Sequence, residues 1–230
     1  MVSRSGKKRY DLLRQQRPAL FENPVDAAYV ILTEPHDVRL AEAQEADRLR
    51  RNGMPETWSN TGVVYEDGCL LVLRDAVRRP DGTLGTYIRT VSADCSRGVA
   101  ILPLMDNQAI LIRHFRHATR LTHLEIPRGF GRGGRTSAEQ AVLELREEIG
   151  ATVVELIELG SIHPNAGMSS DPADLFLARI REIGEPQRDE GISAIQAMSI
   201  PMLGEMIATG TITDGFTITA YARASLKGYL

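Results

Sequence analysis

The feature that most restricts the fold is a series of short apolar runs between residues 63 and 116, each closed by a turn signal. "VVYEDGCLLVLRDAV", "GTYIRTV", "GVAILPLM" and "AILIRHF" are punctuated by EDG, PDG and DNQ. Gly, Asp and Asn reach the backbone conformations that hairpin tips require. The PDG at 80–82 and the Asp106-Asn107 pair are therefore read as hairpin tips, and the sheet as largely antiparallel. Helical signals are fewer. Residues 36–51 are rich in helix formers, with acids early, arginines late and Gly53 just beyond. Its charges are read as a solvated face. A helix over 137–149 begins at a Thr136 or Ser137 cap. "IPMLGEMIATG" gives another, and a last one starts near Asp214. Further strands are expected near 153–163, 173–181 and 192–199. Residues 1 to about 32 are read as irregular, because Pro18 and Pro24 interrupt any helix. Strands in mixed order with few helices point to an α/β (α+β) fold, in which helices cover a mixed sheet as an α/β/α sandwich.

Length and charge narrow the function classes. The 230 residues suffice for one well-filled domain plus an extension. The expected division is an extension over 1–60 and a main domain over 61–230. A net charge of −3 gives no global drive toward nucleic acid or an anionic membrane, so any phosphate recognition must be local. The best apolar stretch, "VAILPLMDNQAILI", is broken by Pro103, Asp106 and Asn107, so no membrane span is expected. The basic N-terminus lacks the apolar core of a secretory signal, and the cytoplasm is the expected compartment. Cys69 and Cys95 have no metal-type spacing and are read as reduced thiols.

Chemistry concentrates in residues 125–151, "EIPRGFGRGGRTSAEQAVLELREEIGA". Glu144, Glu147 and Glu148 stand at i, i+3 and i+4 and leave one face of a helix, while Leu143, Leu145 and Ile149 can point to a core. Like charges so placed repel unless something neutralises them, and Mg²⁺ prefers carboxylate oxygens. On spacing alone, a hydrated acidic face is the commoner meaning. The loop before the helix shifts that reading. Gly129, Gly131, Gly133 and Gly134 allow backbone groups to approach a ligand closely.

The stretch resembles the Nudix box, G-x5-E-x7-R-E-U-x-E-E-x-G-U with U aliphatic. Gly129 takes the first glycine, Glu144 and Leu145 the E-U pair, Glu147 and Glu148 the E-E pair, and Gly150 the last glycine. Two positions depart, with Arg135 where the family has a glutamate and Leu143 where it has an arginine; Ala151 is a small final residue. From about residue 62 onward, "RRPDGTLGTYIR", "RGVAILPLMDNQAILIRHFR", "LEIPRG", "LGSIHPNAGMSSDPADLFLA", "DEGI" and "MIATGTITDGFTITA" are similar to ADP-ribose pyrophosphatases. That subfamily often carries a proline 15 residues beyond the box, where this chain has Ala166 beside Pro164.

The resemblance implies a hydrolase of nucleoside diphosphate derivatives that uses Mg²⁺ or Mn²⁺. For ADP-ribose, the products are AMP and ribose 5-phosphate. It implies Glu144 and Glu148 as principal metal ligands, Glu147 at a further ion and the backbone carbonyl of Arg128 in the same shell. Glu190 becomes the general base, with Asp189 as an alternative, although "QRDEGIS" also reads as a polar turn. Arg97, Arg116, Asp171 and Gly129 fall where relatives hold substrate, yet each arginine also suits a surface ion pair and "GMSSD" a simple turn. His114, His117 and His163 are left as structural. Arg135 is expected to reach back toward the carboxylates and replace the missing box arginine. The resemblance also implies a homodimer, formed through the sheet segment 63–95. Two other functions stay open: nucleotide binding with little hydrolysis, and hydrolysis of an unusual diphosphate in a biosynthetic pathway.

Overall fold

The computed structural model describes residues 4–93, 97–131 and 133–230; Cys95 lies outside the described residues. The chain forms two compact units. The first comprises residues 1–95 with 165–170, the second 96–164 with 171–230.

In the first unit, helix α1 (Arg4–Gln16) corrects the expectation of an irregular start. Pro18 lies beyond the end of the helix and begins a short 3₁₀ turn, so it stops the helix without preventing it. Strand β1 (Val30–Ile31) and helix α2 (Pro35–Arg51) follow. Next come β2 (Gly62–Glu66), β3 (Leu70–Arg78) and β4 (Leu84–Ser92), joined by the two turns read from EDG and PDG. β3 is central. β4 pairs antiparallel along its full length, while β1 and β2 pair with successive stretches of it. Tyr10 and Leu13 of α1 pack on Leu71, Leu73 and Val91. Ala41 of α2 packs with Ala76. Glu45 of α2 is buried rather than solvated, held by Arg48 and by Arg79 at 2.7 Å.

The second unit is an α/β/α sandwich. β5 (Gly98–Met105) and β6 (Gln108–Arg116) form a hairpin over Asp106 and Asn107, whose φ values of 50° and 60° suit those residue types. β7 (Leu121–Glu125) and β8 (Arg128–Gly129) follow, then α3 (Ser137–Ile149). β9 (Val153–Ile162), β10 (Ala173–Ile180), β11 (Ile192–Ser199), α4 (Ile200–Ala208) and α5 (Gly215–Leu226) complete it. The sheet order is β11-β6-β5-β10-β9, with β7 on β6 and β8 on β5. β10 runs parallel to β5, and the other pairings are antiparallel. β5 is apolar on both faces because both are covered. Val99 and Ile101 meet α3, while Ala100, Leu102 and Leu104 share a cluster with Leu203 of α4 and Ala220 of α5. Among the described residues, no helix is long and apolar enough to cross a membrane.

Candidate active site

Helix α3 gathers the carboxylates, and its ends are well defined. The Thr136 hydroxyl accepts from the Glu139 N–H at 3.2 Å, and the Glu139 carboxylate accepts from the Thr136 N–H at 2.8 Å. This reciprocal pair satisfies amides that the first turn leaves open. At the other end Gly150 has φ 62°, and a Cβ there would come within 2.9 Å of the Gly184 Cα. Glycine meets both demands. Ala141, Leu145 and Ile149 seat the helix in the core. Leu143, expected on that face, is only half-buried.

The remaining faces carry the acids. Glu144 and Glu148 are one turn apart and only 7% and 2% exposed, whereas Glu147 is exposed. All three line a cleft of about 510 Å³, together with Arg116, Gly129 and Glu190. The Glu148 carboxylate accepts from the Arg128 N–H at 3.1 Å, which ties α3 to β8. Burial, then the Glu144 charge, push the Glu148 carboxyl up to about 8; Glu190 adds to the rise, while Arg116 and the Arg128 N–H oppose it. The Gln140 side-chain amide donates to the Glu144 carboxylate. Gly129 stands so close that a Cβ there would overlap that carboxylate.

Basic groups line the same cleft. Arg116 Nε donates to Glu125 at 2.7 Å, and Glu125 is fully buried. The Arg128 guanidinium lies 3.6 Å from Glu125 and 3.5 Å from Asp214, and 4.8 Å from the centre of the Phe216 ring. Glu125 thus anchors Arg116 through a hydrogen bond strengthened by charge on both partners, and faces Arg128 as a looser ion pair.

Glu190 sits on a one-turn 3₁₀ segment, Arg188–Glu190, and accepts from the Gln187 amide at 3.2 Å. Burial, followed by Arg116, lowers the His114 pKa to about 4, so the ring is neutral near pH 7. The Glu190 backbone favours protonation of the His114 ring.

The other expected residues lie elsewhere. Arg97 does not line the cleft. It pairs with Asp174 at 2.8 Å, and Asp174 also accepts from the Ser137 and Ser161 hydroxyls at 2.6 Å each. Those bonds secure the start of α3 to the sheet. Asp171 and Asp189 are also outside the lining. Arg135 is exposed and acts on Glu139, which corrects the expectation that it reaches the carboxylates. Among the described residues, no three His, Cys, Asp or Glu side chains stand gathered ready for a metal.

Sequence reasoning missed Gln140, Glu125 and the lining residues Phe130 and Phe216; His114, read as structural, also lines the cleft. Glu125 did leave a signal, as an acid between Leu124 and Ile126 at the end of a strand. Gln140 left one as well, one helical turn before Glu144.

No protein-family model matches the chain. It is 29% identical over 92 residues to the ADP-ribose pyrophosphatase of Bacillus subtilis (strain 168), a match covering 40% of this chain. The chain spans about half the length of that curated relative, 50%. Among solved structures, an ADP compounds hydrolase superposes with a TM-score of 0.63 and 19% identity, over 74% of this chain and 95% of that one. The chain therefore has the mixed α/β fold of that hydrolase, and over 92 residues it is similar in sequence to that one ADP-ribose pyrophosphatase.

Proposed function

We propose that this chain is a divalent-metal-dependent hydrolase of the Nudix type. It cleaves ADP-ribose or a related nucleoside diphosphate sugar into a nucleoside monophosphate and a sugar phosphate. One observation carries the reading: two nearly buried carboxylates, Glu144 and Glu148, line the same open cleft as two arginines, Arg116 and Arg128. Placing like charges together away from water costs stability. A hard cation removes that cost, and burial, followed by the Glu144 charge, already pushes the Glu148 carboxyl up in its absence. The residues therefore fit Mg²⁺ or Mn²⁺.

Glu144 and Glu148 would hold the ion, with Glu147 and the Arg128 carbonyl as further oxygen donors. When bound, a divalent cation neutralises phosphate oxygens and acidifies water. Glu190, at the edge of the cleft, accepts the proton of the attacking water. A new oxygen–phosphorus bond forms as the bridging anhydride bond breaks, and the bridging oxygen leaves with one phosphate. Arg116 and Arg128 line the same cleft and offer donors to the anionic diphosphate, already aligned by Glu125. Arg97 and Asp171 have no part in this reading.

Binding without turnover is the second reading, favoured by the exposure of Glu147 and the absence of a ready-gathered metal cluster among the described residues. Incubation with Mg²⁺ and a panel of nucleoside diphosphate derivatives, with products identified by mass, separates the two. AMP from ADP-ribose, lost in Glu148→Gln, supports hydrolysis. Tight nucleotide binding with no product supports the second reading.

A homodimer belongs to the same proposal. In the first unit, Tyr65, Leu70 and Ile88 lie exposed on one face of the β2-β3-β4 sheet. Light scattering after gel filtration reads the mass, and a monomer at micromolar concentration refutes the dimer.

A further inference from the structure

We propose that Gln140 is a positioning residue for Glu144: its amide and the bare Cα of Gly129 together confine the carboxylate to one place in the cleft. The inference rests on the metal-dependent reading above and adds a residue to which no role has been attached.

Gln140 is 1% exposed and lies one helical turn before Glu144. Its Nε2 donates to the Glu144 carboxylate. A carboxylate only accepts, so the NH₂ end of the amide must face it. The other end gains nothing in return: Gln140 Oε1 is buried without a hydrogen-bond partner among the described residues. A leucine or methionine would fill that space without leaving a buried acceptor unsatisfied. The glutamine is therefore poorly explained by packing and well explained by its hold on Glu144.

Gly129 completes the confinement. Its backbone pairs with Val99 of β5, which fixes β8 relative to the sheet, and no side chain could stand there without displacing the carboxylate. Neutrality matters as well. Lysine or arginine at position 140 would hold Glu144 equally firmly, but its charge would oppose a cation nearby. A neutral donor fixes geometry and leaves the full negative charge available. Groups hydrogen-bonded to a metal-binding side chain typically change metal affinity about 10–100-fold when removed.

The test is Mn²⁺ titration of the purified full chain, followed by the EPR signal of the free ion. Wild type, Gln140→Met, Gln140→Asn, Glu144→Gln and the Gln140→Met/Glu144→Gln double variant are compared. Asparagine keeps the polarity but is one methylene too short to reach. Both single changes at 140 are expected to weaken Mn²⁺ binding about tenfold or more, with circular dichroism unchanged. The double variant should bind no more weakly than Glu144→Gln, a non-additivity that a purely structural role would not produce. A folded variant at 140 that binds within twofold of wild type overturns the inference while leaving the metal reading intact. Wild type that binds no Mn²⁺ overturns both.

Discussion

Removing the charge of Glu148 should make the metal-free protein more stable at alkaline pH while removing its activity. A carboxyl whose native pKa lies above its unfolded value binds its proton more tightly when folded. That contribution is complete below the ordinary value of 4.5 and is lost as pH rises through about 8. At about 1.4 kcal/mol per pH unit, the full separation corresponds to roughly 5 kcal/mol. The cleft is open to water, which relaxes part of this, so about 2–3 kcal/mol is expected. Glu148→Gln has no proton to lose and avoids the loss altogether. Urea unfolding in EDTA at pH 5, 7 and 9 reads the effect directly. The variant should match wild type within about 1 kcal/mol at pH 5 and exceed it by about 2–3 kcal/mol at pH 9. Saturating Mg²⁺ should narrow the gap by stabilising wild type alone. A variant no more stable than wild type at pH 9 would refute the claim that burial and Glu144 strain this carboxylate.

Three further substitutions probe the same wall and its surroundings. Gly129→Ala forces the Glu144 carboxylate back by on the order of 1 Å, so turnover should fall about 10–100-fold with little change in circular dichroism; turnover within twofold of wild type would count against the close approach. Arg116→Ala leaves the fully buried Glu125 without its nearest cation, and thermal unfolding should register a loss of about 3–5 kcal/mol. A loss below about 1 kcal/mol would mean Glu125 is satisfied without Arg116. Arg135→Ala should retain turnover within about threefold, because the residue is exposed and acts on Glu139. A hundredfold loss would restore the idea that it serves the carboxylates.

The sequence made the hairpins legible because their tips require particular residues: Asp106 and Asn107 adopt positive φ, and PDG falls between β3 and β4. α3 ends at Ile149 as expected, and Gly150 follows it at positive φ. α1 was not legible, since a proline two residues beyond a helix looks much like one that prevents it. Glu144, Glu147 and Glu148 could be placed on one helix by local spacing, and the structure brings all three to one cleft with Glu190 and Arg116. Arg97 could not be judged that way. Its partner Asp174 lies on β10, 77 residues away, and only the parallel pairing of β10 with β5 brings them together. Gln140 and Glu125 left only faint signals, for a related reason. Their importance lies in what they touch, and a buried hydrogen bond leaves little mark on composition or periodicity.

The most direct test is crystallographic. Crystals soaked with Mn²⁺ and a non-hydrolysable ADP-ribose analogue should show an anomalous peak bounded by the Glu144 and Glu148 carboxylates, with the diphosphate between that ion and Arg116. An ion bound elsewhere, or carboxylates still paired only with protein groups at saturating Mn²⁺, would contradict the account.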